Sequence, residues 1–137
     1  MIKRTTARRR HGGFTLVELM MVIAIVSILI AILLPAYQNQ IIRGHRAAAK
    51  SEMLELANRQ QQFLLANRAY ADQTTLEDSG YSLPTAVAEN YSYDITLGGG
   101  AVPSYLITFT GIGRQASDGD LTITNEGVKA PADKWTR

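Results

Sequence analysis

The sequence contains no cysteine, which excludes both a disulfide framework and a cysteine-ligated zinc site. Acidic residues are missing from the first 13 positions, which hold five of the 14 lysines and arginines. The rest of the chain therefore has nine basic side chains against 12 acidic ones, a formal charge of −3. The overall charge of +2 describes only the N-terminus and does not favour a general nucleic-acid-binding surface.

Charge is nearly absent from residues 14–34, where Glu18 is the only charged side chain. A helix over this segment is ~31 Å long, which matches the ~30 Å hydrocarbon core of a bilayer. The basic cluster before it predicts that residues 1–13 stay in the cytoplasm and that everything after Leu34 lies outside. The sequence therefore predicts a single membrane-spanning helix.

Helical patterning continues past the apolar run to about Asn67. Strong helix formers dominate residues 36–66. One face is apolar apart from Gln60, and its members are Ala49, Met53, Leu56 and Phe63. We predict one nearly continuous helix from Phe14 to Asn67, with a kink or local unwinding just before Pro35. Its first half is apolar all round, whereas its second half is amphipathic and can pack on a domain.

The rest of the chain predicts a connection followed by an antiparallel sheet. Residues 67–90 are rich in polar residues, Gly and Pro and predict a surface loop with one short turn near Leu76. Apolar residues then alternate with polar ones in three segments, at Tyr91, Tyr93, Ile95 and Leu97, at Tyr105, Ile107 and Phe109, and at Leu121 and Ile123. A doubtful fourth strand lies near Val128 and ends at Pro131. The apolar face of this sheet needs a cover, and the apolar stripe of the helix is the available partner.

The predicted fold class is therefore α+β, with a long N-terminal helix packed on a small antiparallel sheet. Five segments follow from these patterns. They are a basic leader (1–13), a membrane-spanning helix (14–35), the amphipathic half of that helix (36–66), a connecting loop (67–90) and a sheet with a C-terminal loop (91–137).

The junction between leader and apolar run has an unusual order. A secretory signal peptide is cut after its apolar core, but here the small residues Gly12 and Gly13 precede the core. A cut after Gly13 would leave the hydrophobic helix on the mature chain and create a new amino group on Phe14. Such a chain would remain anchored in the membrane after processing.

Glu18 needs a positive partner, because an unpaired carboxylate in hydrocarbon costs about 2.5–3.5 kcal/mol on insertion scales. The new amino group of Phe14 qualifies, either in the same helix or at the end of a neighbouring helix. Pairing with a neighbour would favour lateral assembly at a fixed axial offset.

The junction closely resembles the type IV pilin family, whose leader ends in glycine before a characteristic motif that here consists of Phe14-Thr15-Leu16-Val17-Glu18-Leu19-Met20. The resemblance implies that a prepilin peptidase cuts between Gly13 and Phe14 and N-methylates Phe14. It also implies that Glu18 pairs with the amine of an adjacent subunit and that Pro35 kinks the helix. The implied function is that of a structural pilus subunit, minor rather than major.

The implied partners are other pilin subunits, the prepilin peptidase, the inner-membrane assembly platform and, before assembly, membrane lipid. The implied location is the inner membrane, with one span and the C-terminus outside, and then the extracellular pilus. The sequence shows no Ser/His/Asp set, Gly-rich phosphate loop or close His/Glu metal spacing, and we assign no enzymatic activity and no catalytic, cofactor or metal site.

The C-terminal segment also resembles minor pilins of the type IVa branch, with one departure. Those relatives close a C-terminal loop with a disulfide, and Lys134 stands where the second cysteine would precede Trp135. We hypothesise that Lys134 forms an ion pair with Asp118 or Asp120 that partly replaces this closure. We interpret the Asp118-Gly119-Asp120 stretch itself as a simple turn rather than a calcium site.

Two alternative functions remain open. The first is a pseudopilin of type II secretion, and the second is a pilus-borne receptor for DNA or a surface. Four basic residues of the helix could contact DNA phosphate, and they are Arg43, Arg46, Lys50 and Arg59. The acidic balance of the mature chain makes DNA the less favoured partner, and we interpret these residues as a solvated face or as charge matching between subunits.

Overall fold

The structure is a computed structural model that describes residues 13–136. The predicted basic leader therefore lies outside the described residues except for Gly13, and so does Arg137.

The first element, α1, is a 52-residue helix over Leu16–Asn67. The helical conformation continues without a break through Pro35, although this proline has no amide hydrogen to donate. The prediction of one nearly continuous helix is confirmed, although the helix begins two residues later than Phe14. The local unwinding expected before Pro35 is not present in the described chain, and the kink stays a prediction.

The described residues fall into two compact units, which divide between Gln38 and Asn39. In the described part of the first unit every large apolar side chain is exposed, from 45% at Val26 to 82% at Phe14. By length and composition, α1 is the one helix among the described residues that could cross a bilayer. We call residues 39–136 the head.

The head contains a four-stranded antiparallel sheet in the order β1-β2-β3-β4. Its strands are β1 (Tyr91–Leu97), β2 (Tyr105–Gly111), β3 (Leu121–Thr124) and the two-residue β4 (Lys129–Ala130). Ile95 pairs with Ile107, which pairs in turn with Ile123, so one face of the sheet carries a continuous apolar row. This confirms the predicted three-strand meander and its short fourth strand.

The core of the head joins this apolar face to the stripe on α1. Met53 and Leu56 of α1 have no exposed surface, and they belong to the same buried cluster as Ile107 and Phe109. Complete burial of a side chain of this size contributes about 1.5–3 kcal/mol. The prediction that the helix covers the sheet is confirmed.

Gln60 is part of the core contact and does not simply interrupt the stripe. It is fully buried, and its Nε2 donates to the Ala71 carbonyl at 2.6 Å while its Oε1 accepts from the Ala71 amide at 2.9 Å. This paired bond satisfies the buried amide, as a buried polar group requires. Gln60 therefore fixes the backbone of Ala71, which follows the end of α1, against the helix.

The predicted loop over residues 67–90 contains two short helices instead of one turn. They are α2 (Gln73–Asp78) and α3 (Thr85–Ala88). Asp72 caps α2, because its Oδ1 accepts from the Thr75 amide at 2.8 Å. Helices of six and four residues are too short to show a helical period in the sequence. Buried Leu76 and Val87 anchor them to the core.

After β2 comes a 3-10 segment over Gly113–Asp118, and after β4 a final one-turn helix, α4 (Ala132–Trp135). Gly119 follows the 3-10 segment with φ +76°, a left-handed conformation that favours glycine. The connection predicted as a simple turn at Asp118-Gly119 is therefore a 3-10 segment that ends at this glycine.

Candidate functional sites

The start of α1 lies at the predicted cleavage junction. Residues 13–15 are not helical, and Phe14 is 82% exposed. The Thr15 Oγ1 accepts from the Glu18 amide at 3.2 Å, and the Thr15 carbonyl accepts from the Leu19 amide at 3.1 Å. Thr15 is therefore the N-cap, and Glu18 is the third helical residue, so this bond is one of the two that make up a capping box. The bond between Gly13 and Phe14 lies just outside the helix.

Glu18 lies in the first turn of α1 and is exposed. A carboxylate in this position interacts favourably with the positive end of the helix dipole, by about 0.3–1 kcal/mol. No basic side chain among the described residues pairs with it. The partner predicted for Glu18, an amine on Phe14, would exist only after cleavage.

Ser27 is the only other polar side chain within residues 16–34. Its hydroxyl donates to the Ile23 carbonyl at 2.7 Å, so this polar group is satisfied inside its own helix. Glu18 is therefore the one side chain in this described segment whose polarity calls for an external partner.

A second polar site lies inside the head and connects the 3-10 segment to α1. The guanidinium of Arg46 donates two bonds to the Asp118 carboxylate, from Nε to Oδ2 at 2.7 Å and from Nη2 to Oδ1. The two side chains are only 13% and 6% exposed. Such a two-pronged, shielded pair is among the stronger hydrogen-bonded contacts in proteins.

Gln115 and Tyr91 complete this arrangement, which we call the Asp118 cluster. The Gln115 Nε2 lies 2.7 Å from the Tyr91 hydroxyl, 3.2 Å from the Asp118 Oδ2 and 3.1 Å from the Ile42 carbonyl. Hydrogen bonding to Asp118 raises the pKa of Arg46. Burial raises the pKa of Tyr91 to about 12. At neutral pH Arg46 therefore carries its positive charge and the Tyr91 hydroxyl keeps its proton, and the cluster joins α1 to the sheet and the 3-10 segment.

The Asp118 cluster corrects two predictions. The hypothesis that Asp118 or Asp120 pairs with Lys134 is wrong, because the described ion pairs join Asp118 to Arg46 and place no acid on Lys134. Arg46 is correspondingly not on a solvated face. The two partners lie 72 positions apart in the sequence, and no local signal could have matched them.

Two of the other basic residues of α1, Arg59 and Lys50, also make contacts within the head. Arg59 pairs with Glu55 at 3.2 Å, and its guanidinium lies 5.3 Å from the centre of the Tyr81 ring. Lys50 is half-buried, and burial lowers its pKa, with nearby Arg46 adding to the effect. Arg43 alone of the four is exposed as predicted.

Lys50, Lys129 and Trp135 form a basic-aromatic cluster. The Nζ atoms of Lys50 and Lys129 lie 5.9 and 5.1 Å from the centre of the Trp135 ring, within cation–π range. The Trp135 Nε1 donates to the Ala130 carbonyl at 3.3 Å, which fixes the ring beside β4. This local concentration of positive charge was missed in the sequence because its members come from α1, β4 and α4.

The described residues contain no group of three or more side chains that could hold a metal ion. Asp118, one of the two carboxylates in the stretch considered for calcium, is already bonded to Arg46.

An exposed apolar helix with an N-terminal Gly-Phe junction, joined to an α+β head, defines the pilin class, and sequence comparison agrees. Residues 8–34 match the prokaryotic N-terminal methylation motif. Residues 35–122 match the family described as type IV minor pilin ComP, DNA uptake sequence receptor. The chain belongs to this type IV minor pilin family, which confirms the resemblance seen in its sequence.

Relatives cover both pilus and secretion proteins. A fimbrial protein of Pseudomonas aeruginosa is 37% identical over 75 residues, which is 55% of this chain and 49% of the relative. Type II secretion system core protein G of Aeromonas hydrophila is 33% identical over 86 residues, 63% of this chain and 60% of the relative. Fimbrial protein EcpC of Eikenella corrodens is 60% identical over 37 residues, 27% of this chain and 24% of the relative.

The chain thus spans about half the length of the first curated relatives that it matches. No solved structure matches it significantly.

Proposed function

We propose that the protein is a structural subunit, a minor pilin, of a type IV pilus. The observation that carries this proposal is the first half of α1, where every large apolar side chain from Leu16 to Leu34 is at least 45% exposed and one carboxylate interrupts the run. Such a surface requires an apolar environment on all sides. Lipid supplies it before assembly, and neighbouring helices supply it in a filament.

Glu18 gives this assembly its register. After a cut between Gly13 and Phe14, the new amine of Phe14 on one subunit can pair with Glu18 on the next. Because both groups lie in an apolar surrounding, an unpaired Glu18 disfavours an isolated subunit and a paired one favours a fixed offset between neighbours.

The processing pathway follows from the same features. A membrane-embedded prepilin peptidase removes the leader and methylates Phe14, and an inner-membrane platform then moves the subunit into the filament. Pro35 supplies a point where α1 can kink or unwind on assembly, because it removes one helical hydrogen bond. The subunit begins as a single-pass inner-membrane protein with the head outside and ends in the extracellular pilus. The family is structural, and the role requires no catalysis by the chain itself.

Intact-mass and N-terminal analysis of the chain, expressed with and without prepilin peptidase, tests this proposal. We expect a mature protein that begins at Phe14 and is ~14 Da heavier than the unmodified cleavage product, because of the added methyl group. A chain that stays uncut, or is cut after the apolar segment, would rule out the pilin pathway.

The similarity to a type II secretion protein supports one alternative, in which the chain is a pseudopilin of a secretion system. The two are separated by where the mature protein goes and what its deletion impairs. Recovery in filaments sheared from the cell surface supports the pilus. Loss of an exported enzyme from the medium, with pili unchanged, supports secretion.

DNA binding is a second candidate activity. The acidic balance of the mature chain argues against it, whereas the description of the matched family as a DNA uptake sequence receptor favours it. The basic-aromatic cluster offers a surface for it. Lys50 and Lys129 can approach backbone phosphates, and the half-buried Trp135 ring keeps both ammonium groups on one side of the head. Net charge is a poor guide here because binding depends on local potential.

Salt-dependent binding of duplex DNA by the head tests this activity. Lys129→Ala should weaken binding to all sequences and reduce the slope of log affinity against log salt by about 1, whereas Lys129→Arg should leave the slope unchanged. A head that binds no better than an equally acidic control protein would exclude this role and leave the pilus role intact.

A further inference from the structure

The cap at the start of α1 bears directly on processing of the chain. We infer that Thr15 is a positioning residue for leader removal, because its side chain caps a helix that begins at Leu16, two residues after Phe14, and leaves the Gly13–Phe14 bond in non-helical backbone. This inference rests on the proposed cleavage at that bond.

Three observations place the bond outside the helix. Gly13, Phe14 and Thr15 have no helical assignment, and α1 starts at Leu16. The Thr15 Oγ1 accepts from the Glu18 amide at 3.2 Å. Glu18 stands at the third helical position, where its charge also favours a helix that begins here.

Accessibility of the bond depends on this boundary. Proteolysis occurs at exposed, non-helical backbone, and a bond inside regular structure is cut only in proportion to the fraction of time that it is open. The apolar part of α1, Leu16–Leu34, is ~29 Å long, close to the ~30 Å core of a bilayer. The cap therefore lies at the edge of the membrane, where a peptidase can reach the bond.

Loss of the cap should move the start of the helix toward the N-terminus. Thr15 and glycine are comparable N-caps, whereas Ala and Val are poor ones. Without an oxygen at position 15, the nearest upstream residue able to cap is Gly13. A helix capped by Gly13 would have Phe14 as its first residue, and the scissile bond would then lie at the start of the helix.

Four substitutions separate this role from direct recognition of the Thr15 side chain. Thr15→Val keeps the shape and removes the acceptor oxygen, whereas Thr15→Asn changes the shape and keeps an acceptor. We expect Thr15→Val and Thr15→Ala to lower the kcat/KM of prepilin peptidase on the full-length chain in detergent micelles, by roughly three- to fivefold. Thr15→Ser and Thr15→Asn should be cut at nearly the wild-type rate.

A second measurement needs no peptidase. The Cα chemical shift of Phe14 in the uncut micellar chain should move toward helical values in Thr15→Val and stay at the wild-type value in Thr15→Asn. Thr15→Val cut as fast as wild type, or Thr15→Asn cut as slowly as Thr15→Val, would overturn the inference. A wild-type chain that is not cut at Gly13–Phe14 at all would instead overturn the proposed function, and the chemical shifts would still report on the cap.

Discussion

The two halves of α1 have the same secondary structure and opposite surroundings. From Leu16 to Leu34 the apolar side chains are exposed on every face of the helix, and Glu18 is the only charge. From Arg46 to Phe63 one stripe packs into the core of the head, and the charged side chains of Arg46 and Arg59 make specific contacts with other elements. Helix formation is therefore common to both halves, whereas what each half binds is decided by its side chains.

The comparison predicts that changes in the two halves affect different properties. Substitutions in the first half should change assembly and leave the stability of the head unaltered. Substitutions in the second half should change stability first.

The largest effect is expected at Glu18. Glu18→Gln removes the charge that would pair with a neighbouring Phe14 amine, so incorporation into sheared filaments should fall by ~30-fold or more, as for the loss of a buried charge pair. Quantitative immunoblotting of sheared filaments against membranes measures this, with Ser27→Ala as a control substitution in the same helix. The melting temperature of the head should not change. Wild-type levels of Glu18→Gln in filaments would show that assembly does not depend on this charge.

The second effect concerns the Asp118 cluster. Asp118→Asn leaves the shielded Arg46 guanidinium without its counter-charge, and we expect the head to lose about 3 kcal/mol of unfolding free energy. For a domain of this size the melting temperature should fall by more than ~10 °C. Chemical denaturation of residues 39–137 gives the free energy.

Arg43→Met is the matched control for this experiment, because Arg43 lies on the same helix and is exposed. It should change the unfolding free energy by less than about 0.5 kcal/mol. Equal destabilisation by Arg43→Met and Asp118→Asn would mean that the measured loss reflects helix charge in general and not the buried pair.

A smaller effect is expected at Gln60. Gln60→Ala leaves the buried amide and carbonyl of Ala71 without partners and should destabilise the head by about 1–3 kcal/mol. Gln61→Ala changes the exposed neighbour and should be nearly neutral. Hydrogen exchange at the Ala71 amide reports the same contact directly. Exchange that is equally slow in Gln60→Ala would contradict the assigned bond.

The smallest effect is a dependence on alkaline pH. Burial raises the pKa of Tyr91 to about 12 in the folded head, against about 10 for an exposed tyrosine. The stability that this difference provides is fully present below pH ~10 and is lost as pH rises from there through 12. Denaturation midpoints measured from pH 9 to 12 should therefore fall less steeply in Tyr91→Phe than in wild type. Identical slopes would show that Tyr91 does not ionise late.

Much of the fold could be predicted because its signals are periodic and local. The alternation around Ile95, Ile107 and Ile123 gave the strands and the buried face, and the stripe on α1 gave their cover. The short helices α2 and α3 could not be predicted, since neither completes two turns. The cap at Thr15 has a local signature, a threonine followed three residues later by glutamate, which would have placed the helix start correctly.

The contacts of the basic side chains were beyond prediction for a different reason. Arg46, Lys50 and Arg59 lie on a helix whose pattern is compatible with a solvated face, and their partners Asp118, Trp135 and Tyr81 are distant in the sequence. Only the packed chain brings these groups within bonding distance.

The amino-acid sequence by itself predicted the long apolar helix, the proposed processing junction and the layout of helix and sheet, because each depends on the order of neighbouring residues. The tertiary structure alone decided which acid neutralises Arg46, that Gln60 holds Ala71, and that Lys50 and Lys129 meet at Trp135. Those pairings depend on distance through space and on burial, and a chain without cysteine has no covalent mark in its sequence to show where its C-terminal region is fastened to the helix.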